Sequence, residues 1–273
     1  MDEERGKLIY ILPNLFTASS VFLAIISIIS TINGNFSASI FYIILSLIFD
    51  GLDGRVARLT HATSKFGVEF DSLADIVAFG VAPAILFYCT IGQSFGKVGS
   101  LVAALYVVFG AIRLARFNVT TGTYEPSVFI GLPIPTAAIM TAFWIGIYLQ
   151  YDLPKACGVL YIFGVLSLSL LMVSNIRFPS FKKIDFKKAN FKKALVVLIV
   201  IFSILYLYPL EFAAFLTSAY VIYGLARTAI NLANSKFFKP RAKSEADAKA
   251  GCAAGSRTDA KDAGEDAGGD KNN

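Results

Sequence analysis

Histidine is all but missing from this chain: His61 is the only one in 273 residues. A histidine-rich zinc centre or a Ser-His-Asp triad therefore has almost nothing to be built from. Cysteine is scarce as well. Cys89, Cys157 and Cys252 are odd in number and scattered, with no CxxC pair, which argues against a disulfide framework and for free thiols. Charge is thin, at 16% of residues, where a soluble domain averages about 25%. Nothing alternates with period 2 for long enough to suggest a transmembrane barrel. The first apolar run has no small-residue cleavage site and is long enough to span, so no cleavable signal peptide is expected. No internal repeat stands out.

What is present is apolar. The chain is 56% hydrophobic with a mean hydropathy of +0.64. Apolar runs of about 20 residues recur along it, which predicts an all-α, polytopic helical membrane protein with about eight spans. They fall near 9–32, 37–59, 67–91, 98–117, 132–150, 157–176, 194–209 and 212–233. The segments "TINGNFSAS" and "YPLE" carry no Lys or Arg, and "TIGQSFGK" and "QYDLPKA" carry one each. The other connections hold "MDEERGK", "RLTHATSK", Arg113 with Arg116, and "RFPSFKKIDFKKANFKK". With an even span count these basic clusters share one side, and the positive-inside rule makes it cytoplasmic, with both termini there. The net charge of +6 and pI of 9.1 then belong to loops facing anionic lipid rather than to nucleic-acid binding. The expected organisation is a membrane-embedded domain over 1–234 and a tail over 235–273. After Pro240 that tail has no aromatic residue and is rich in Ala, Gly, Asp and Lys, a composition that predicts disorder.

Against this background, "DGLDGRVARLTHATSKFGVEFDSLAD" (50–75) is anomalous, because it carries four aspartates where spans two and three meet. At about 100° per residue, Asp50, Asp53, Gly54 and Ala57 form one stripe, and Gly67, Asp71 and Asp75 form another. The short connection makes the two helices antiparallel neighbours, so the acidic stripes face each other just inside the membrane. Carboxylates this close repel, more so at low dielectric, and need neutralising. With no His or Cys at hand, an all-oxygen site suits Mg²⁺, Mn²⁺ or Ca²⁺. Gly54 and Ala57 leave room for a bulky ligand, and Arg58 offers a planar fork suited to phosphate. Metal, space and arginine together point to a phosphate ester. Glu69 lies off the stripe and is given no role.

The same residues carry a family resemblance. Asp50, Asp53, Gly54, Ala57, Arg58, Gly67, Asp71 and Asp75 fill every position of D-x2-D-G-x2-A-R-x8-G-x3-D-x3-D, so the chain resembles the CDP-alcohol phosphatidyltransferases. The resemblance implies transfer of a phosphatidyl group from CDP-diacylglycerol to an alcohol, with release of CMP. It implies that Asp50, Asp53, Asp71 and Asp75 hold a pair of divalent metals, Mg²⁺ or Mn²⁺, with Ca²⁺ as an alternative occupant. It further implies that Asp75 takes the proton from the attacking hydroxyl. By the same resemblance Gly54, Arg58 and Ser64 contact the CDP moiety, joined by Asn14 and Thr17 of "PNLFT" from the first span.

"GAIRLARFNV" (110–119), "GLPIPTAA" (131–138) and "MVSNIRFPSFK" (172–182) look like segments of bacterial and archaeal membrane phosphatidylserine synthases. The acceptor implied is L-serine. Its carboxylate needs a cation, and Arg113 and Arg116, three apart on one helix face, are the candidates. The plainer reading of both is as positive-inside anchors. Asn118, Asn175 and Arg177 come next. Glycerol 3-phosphate or an inositol phosphate is the alternative acceptor, and a cation transporter the remote alternative. The implied partners are CDP-diacylglycerol, L-serine and membrane lipid, with a homodimer open. The implied location is the inner membrane, with the site facing the cytoplasm. Pro133 and Pro135 are expected to break the start of span five.

Overall fold

The computed structural model describes residues 2–60, 64–120, 128–179, 191–228 and 230. Contacts divide the chain into Met1–Leu225 and Ala226–Asn273, and the fold and site below belong to the first unit. The long helices α1 (Asp2–Ile32) and α2 (Phe36–Leu59) are followed by α3 (Lys65–Asp75), a π-helical turn (Ile76–Val81) and α4 (Ala82–Thr90). A 3₁₀ turn (Gly92–Phe95) leads to α5 (Lys97–Thr120), and then come β1 (Val128–Ile130), α6 (Ile134–Gln150), α7 (Lys155–Val173), β2 (Arg177–Pro179) and α8 (Phe191–Leu207). The helix α9 covers Pro209–Thr228. Among the described residues, β1 and β2 pair antiparallel as a short ribbon, with Phe129 opposite Phe178.

Six of these helical segments are long and apolar enough to cross a membrane. The fifth and seventh of the eight expected spans fall on α6 and α8, which have 17 residues each. At 1.5 Å per residue such helices reach about 25 Å, short of a hydrocarbon core of about 30 Å. The third expected span is a single run, Lys65–Thr90, interrupted by the π-helical turn. Pro133, extended at φ −60° and ψ 134°, stands immediately before α6, so the proline pair breaks the chain where expected. Gly131 has φ +79°, and a Cβ there would collide with the Met172 carbonyl. Its amide donates to the Ile176 carbonyl at 2.8 Å, which ties the entry of α6 to the exit of α7. Cys89 and Cys157 are free thiols. His61, Cys252, most of the basic run 182–193 and the tail 235–273 lie outside the described residues.

The packing between α1 and α2 is polar at its centre. Lipid tails are as apolar as leucine, so helices in a bilayer associate through close packing of small residues and interhelical hydrogen bonds. Ser20, Ser27, Thr31, Ser39 and Ser46 are all buried. The hydroxyls of Ser20 and Ser46 are 2.8 Å apart, and those of Ser27 and Ser39 are also 2.8 Å apart. Thr31 Oγ1 donates to Ser39 Oγ at 2.7 Å. At the far end of this seam Thr17 Oγ1 donates to Asp53 Oδ2 at 2.7 Å. The seam thus sets the register that delivers α1 to the acidic end of α2. At its opposite end Gly34, at φ +76°, closes the turn, and Asn35 Oδ1 accepts from the Ala38 amide to start α2. Ser46→Leu is expected to cost about 1–3 kcal/mol by overpacking the seam, and Ser46→Ala only about 0.6 kcal/mol. Reversible unfolding in mixed micelles measures both, and equal costs would show that small side chains do not set this helix spacing.

Candidate active site

The acidic stripes meet as their spacing requires. One carboxylate oxygen from each of Asp50, Asp53 and Asp71 lies within 4.8 Å of the others. Asp53 is buried, while Asp50 and Asp71 are half-buried. Two structural details bring α3 into place. Ser64 caps it, its Oγ accepting from the Gly67 amide at 2.9 Å. Gly67 has no side chain, and a Cβ there would stand 3.1 Å from both Asn14 Oδ1 and Ser64 Oγ. The glycine therefore lets α1 and the start of α3 close around one spot.

That spot opens into a cavity of about 320 Å³. Asn14, Thr17, Gly54, Arg58 and Ser64, the five residues expected to contact a nucleotide, all line it, together with Asp53 and Asp71. Arg58 Nε donates to the Gly54 carbonyl at 2.8 Å, so the guanidinium is held along the wall of its own helix. Gly54 has open space where a Cβ would be, with no atom within 4 Å. The protein's own packing does not demand a glycine there, any more than it does at exposed Gly51. Ala57, Pro13 and Val68 complete the wall. The last two carried no signal in the sequence, because each is an unremarkable apolar residue on a membrane helix.

Asp75 stands beside the triad, one helical turn on from Asp71. Its side chain is in hydrogen-bonding contact with Asp50 and sits in the field of Arg113. Its Oδ1 is buried with no hydrogen-bond partner. Two carboxylates can share such a contact only through a proton or a cation, and a buried oxygen without a partner needs an explanation of the same kind. The donor set contains no nitrogen or sulfur ligand, as hard divalent cations require. Triad spacing, the partnerless oxygen and all-oxygen chemistry therefore fit a divalent metal ion.

The two arginines of α5 have different surroundings. Arg113 is buried, with its guanidinium carbon 5.5 Å from the centroid of Phe117, and faces Asp75. Arg116 is turned toward the end of α7, where Nη1 donates to the Val173 carbonyl at 3.3 Å and Nη2 to Asn175 Oδ1 at 2.6 Å. Asn118 Nδ2 donates to Ser72 Oγ at 2.9 Å, which links α5 to the helix of Asp71 and Asp75. The side chain of Arg177 lies outside the described residues. Among the described residues the metal-competent acids form one cluster at one end of α2 and α3. A transmembrane ion path would instead place acids near the midplane of the spans.

A family model, CDP-alcohol phosphatidyltransferase, matches residues 10–173, which hold every residue of this site. The chain belongs to the CDP-alcohol phosphatidyltransferase family. It is 48% identical over 221 residues to the CDP-diacylglycerol–serine O-phosphatidyltransferase of Helicobacter pylori, covering 80% of this chain and 91% of the relative. It is 36% identical over 183 residues to the archaetidylserine synthase of Methanothermobacter thermautotrophicus, covering 66% of this chain and 74% of the relative. A CDP-diacylglycerol–serine O-phosphatidyltransferase of Bacillus subtilis is 34% identical over 172 residues, covering 63% of this chain and 92% of the relative.

Gly54 allows a test of the cavity that separates folding from binding. In Gly54→Leu the new side chain enters empty space on an exposed helix face, so stability should hold or rise by up to about 1 kcal/mol. Affinity for a CDP-alcohol, measured by calorimetry on the purified protein, should fall at least about tenfold, or about 1.4 kcal/mol. Unchanged affinity would place the nucleotide elsewhere.

Proposed function

We propose that this chain transfers the phosphatidyl group of CDP-diacylglycerol to L-serine. The serine hydroxyl oxygen forms a bond to the lipid-side phosphorus, the bond from that phosphorus to CMP breaks, and the products are phosphatidylserine and CMP. The observation that carries this reading is the cavity. It gathers the five nucleotide-contact residues and two of the triad aspartates into one space, in a chain whose relatives named for this reaction include one 48% identical.

Each residue has a task in this reaction. Asp50, Asp53 and Asp71, with Asp75 beside them, hold Mg²⁺ or Mn²⁺ as a metal pair. When bound, these ions neutralise the pyrophosphate and stabilise the charge that develops on the departing CMP. Thr17 orients Asp53 through its 2.7 Å hydrogen bond, so the first helix helps to shape the site. Gly54 admits the nucleotide, Arg58 pairs with phosphate oxygens, and Asn14 and Ser64 supply polar contacts at the rim. Asp75 accepts the proton of the serine hydroxyl as general base. Its neighbour Arg113 grips the serine carboxylate, which holds the hydroxyl within reach of the phosphorus. Arg116, bound to Val173 and Asn175, steadies the end of α7 and is the lesser candidate for that carboxylate.

A single buried arginine suits a monoanionic carboxylate. Glycerol 3-phosphate or an inositol phosphate would bring a dianion and call for several cations. The protein is a multi-pass membrane protein, and we place it in the inner membrane with both termini and the site on the cytoplasmic side, the short α6 and α8 completing eight spans by local thinning of the bilayer. The loops rich in Lys and Arg favour that orientation.

Membranes holding the protein, CDP-diacylglycerol, Mg²⁺ or Mn²⁺ and separately labelled acceptors should yield labelled lipid and CMP from serine. Chelator should abolish turnover, and either metal should restore it. Asp71→Asn, which keeps the shape and removes the charge, should be inactive under all of these conditions. Product from glycerol 3-phosphate instead of serine would overturn the acceptor, and full turnover by Asp71→Asn would overturn the metal site.

The carboxylate contact has its own signature. Arg113→Lys keeps the charge and loses the planar fork. The KM for serine should rise about tenfold or more while that for CDP-diacylglycerol stays nearly fixed, because one substrate alone loses a contact. Serinamide should be a poor acceptor for the unmodified protein and lose little further in the variant. A normal serine KM in Arg113→Lys would move the carboxylate site to Arg116 or to Arg177 with Asn175.

A further inference from the structure

An α-helix closes each carbonyl with the amide four residues on. For Phe79 that residue is Pro83, which has no N–H and whose ring crowds the same carbonyl. The helix accommodates the proline with the π-helical turn Ile76–Val81, in which the Ala82 amide donates to the Val77 carbonyl, five residues back. The Phe79 carbonyl is left in the core, on a residue with no exposed surface. A buried carbonyl without a donor is costly. The Tyr106 hydroxyl of α5 reaches it across the core and donates to Phe79 O at 3.4 Å. Tyr106 has no exposed surface either, and Thr141 of α6 lies beside its hydroxyl. The hydroxyl thus ties α5 to the π-helical turn through one backbone carbonyl.

The π-helical turn begins at the residue after Asp75. An extra residue in a helical turn changes the rotational phase of everything before it relative to everything after it, by about 100°. After the turn, α4 is seated in the core through Ala82, Leu86 and Phe87, none of which has exposed surface. Before the turn, α3 carries Asp71 and Asp75. With α4 fixed, the π-helical turn therefore sets the direction in which Asp75 faces.

We propose that Tyr106 is a positioning residue for the transfer reaction: by bonding the Phe79 carbonyl, which Pro83 deprives of its α-helical donor, it holds the π-helical turn that aims Asp75 at the acceptor hydroxyl. The proposal rests on the reading of Asp75 as the base. A tyrosine that merely filled the core would change stability when altered, without separating turnover from substrate affinity.

The test is steady-state kinetics on the full chain in lipid nanodiscs, for Tyr106→Phe, Pro83→Ala, the double variant and Asp75→Asn. Tyr106→Phe should lower kcat about 10- to 100-fold, the loss expected of a small misplacement, while the KM for CDP-diacylglycerol stays within about twofold. In Pro83→Ala the new amide can serve the Phe79 carbonyl in a regular α-helical turn, so this variant should itself lose kcat as the π-helical turn relaxes. Adding Tyr106→Phe to that background should then cost less than about threefold more, a non-additivity that marks a shared partner. Undiminished kcat in Tyr106→Phe, or effects that simply multiply, would overturn the proposal. If Asp75→Asn retains full turnover, the base assignment fails and the positioning role fails with it. An inactive Asp75→Asn beside a fully active Tyr106→Phe overturns the positioning role alone. Should Tyr106→Phe fail to fold, the double variant is expected to recover a folded protein, and its failure as well would overturn the proposal.

Discussion

One carboxylate oxygen from each of Asp50, Asp53 and Asp71 comes within 4.8 Å of the others on two neighbouring helices, with Asp75 beside Asp50. At such distances like charges repel strongly wherever water cannot screen them. The surrounding structure offsets that repulsion without removing it. Asp53 and Asp71 open onto the cavity, Thr17 donates to Asp53, and the positive charge of Arg113 acts on Asp75. A hard divalent cation would supply the rest, so a cluster that is a source of instability when empty also has the spacing and the all-oxygen donors to hold a metal.

Holding the two acidic helices together falls to elements that carry no acid. The serine and threonine seam fixes α1 on α2 by hydrogen bonds between small side chains, and that register places Thr17 against Asp53. The links from α5 run to α3 through Asn118 and Ser72 and to α7 through Arg116. In a bilayer no hydrophobic force draws helices together, so polar contacts of this kind carry more of the positioning than they would in a water-soluble protein. The same economy of function separates Arg113 from Arg116. Three residues apart on α5, one faces the acid site and the other the carboxyl end of α7, where a cation also suits the helix dipole.

Much of the site was legible in the sequence. Its acids sit at fixed intervals on two helices, and helical periodicity converts those intervals into faces by geometry alone. Glycine at 54 and 67 is legible for the same reason, since a residue without a side chain beside a charged stripe marks space or close approach. Arg116 was harder, because its partners Val173 and Asn175 lie 57 and 59 positions away. Periodicity along α5 has no information about them. The π-helical turn lies between these cases. Pro83 stands four residues after Phe79, which predicts a carbonyl without its donor. The sequence does not say that Tyr106, 27 residues on, supplies one.

The sequence by itself therefore determined what depends on local spacing and composition: helices rather than strands, a membrane rather than water, two acidic stripes on antiparallel neighbours, and the family those stripes mark. Helix periodicity and the cost of burying charge act within a few residues, so one dimension suffices to read them. The tertiary structure alone decided which of two arginines faces Asp75, which hydroxyl holds Asp53, and which side chain completes the Phe79 carbonyl. Those outcomes depend on how helices distant in sequence are turned about their axes when they pack, and a rotation of one residue, about 100°, exchanges one partner for another.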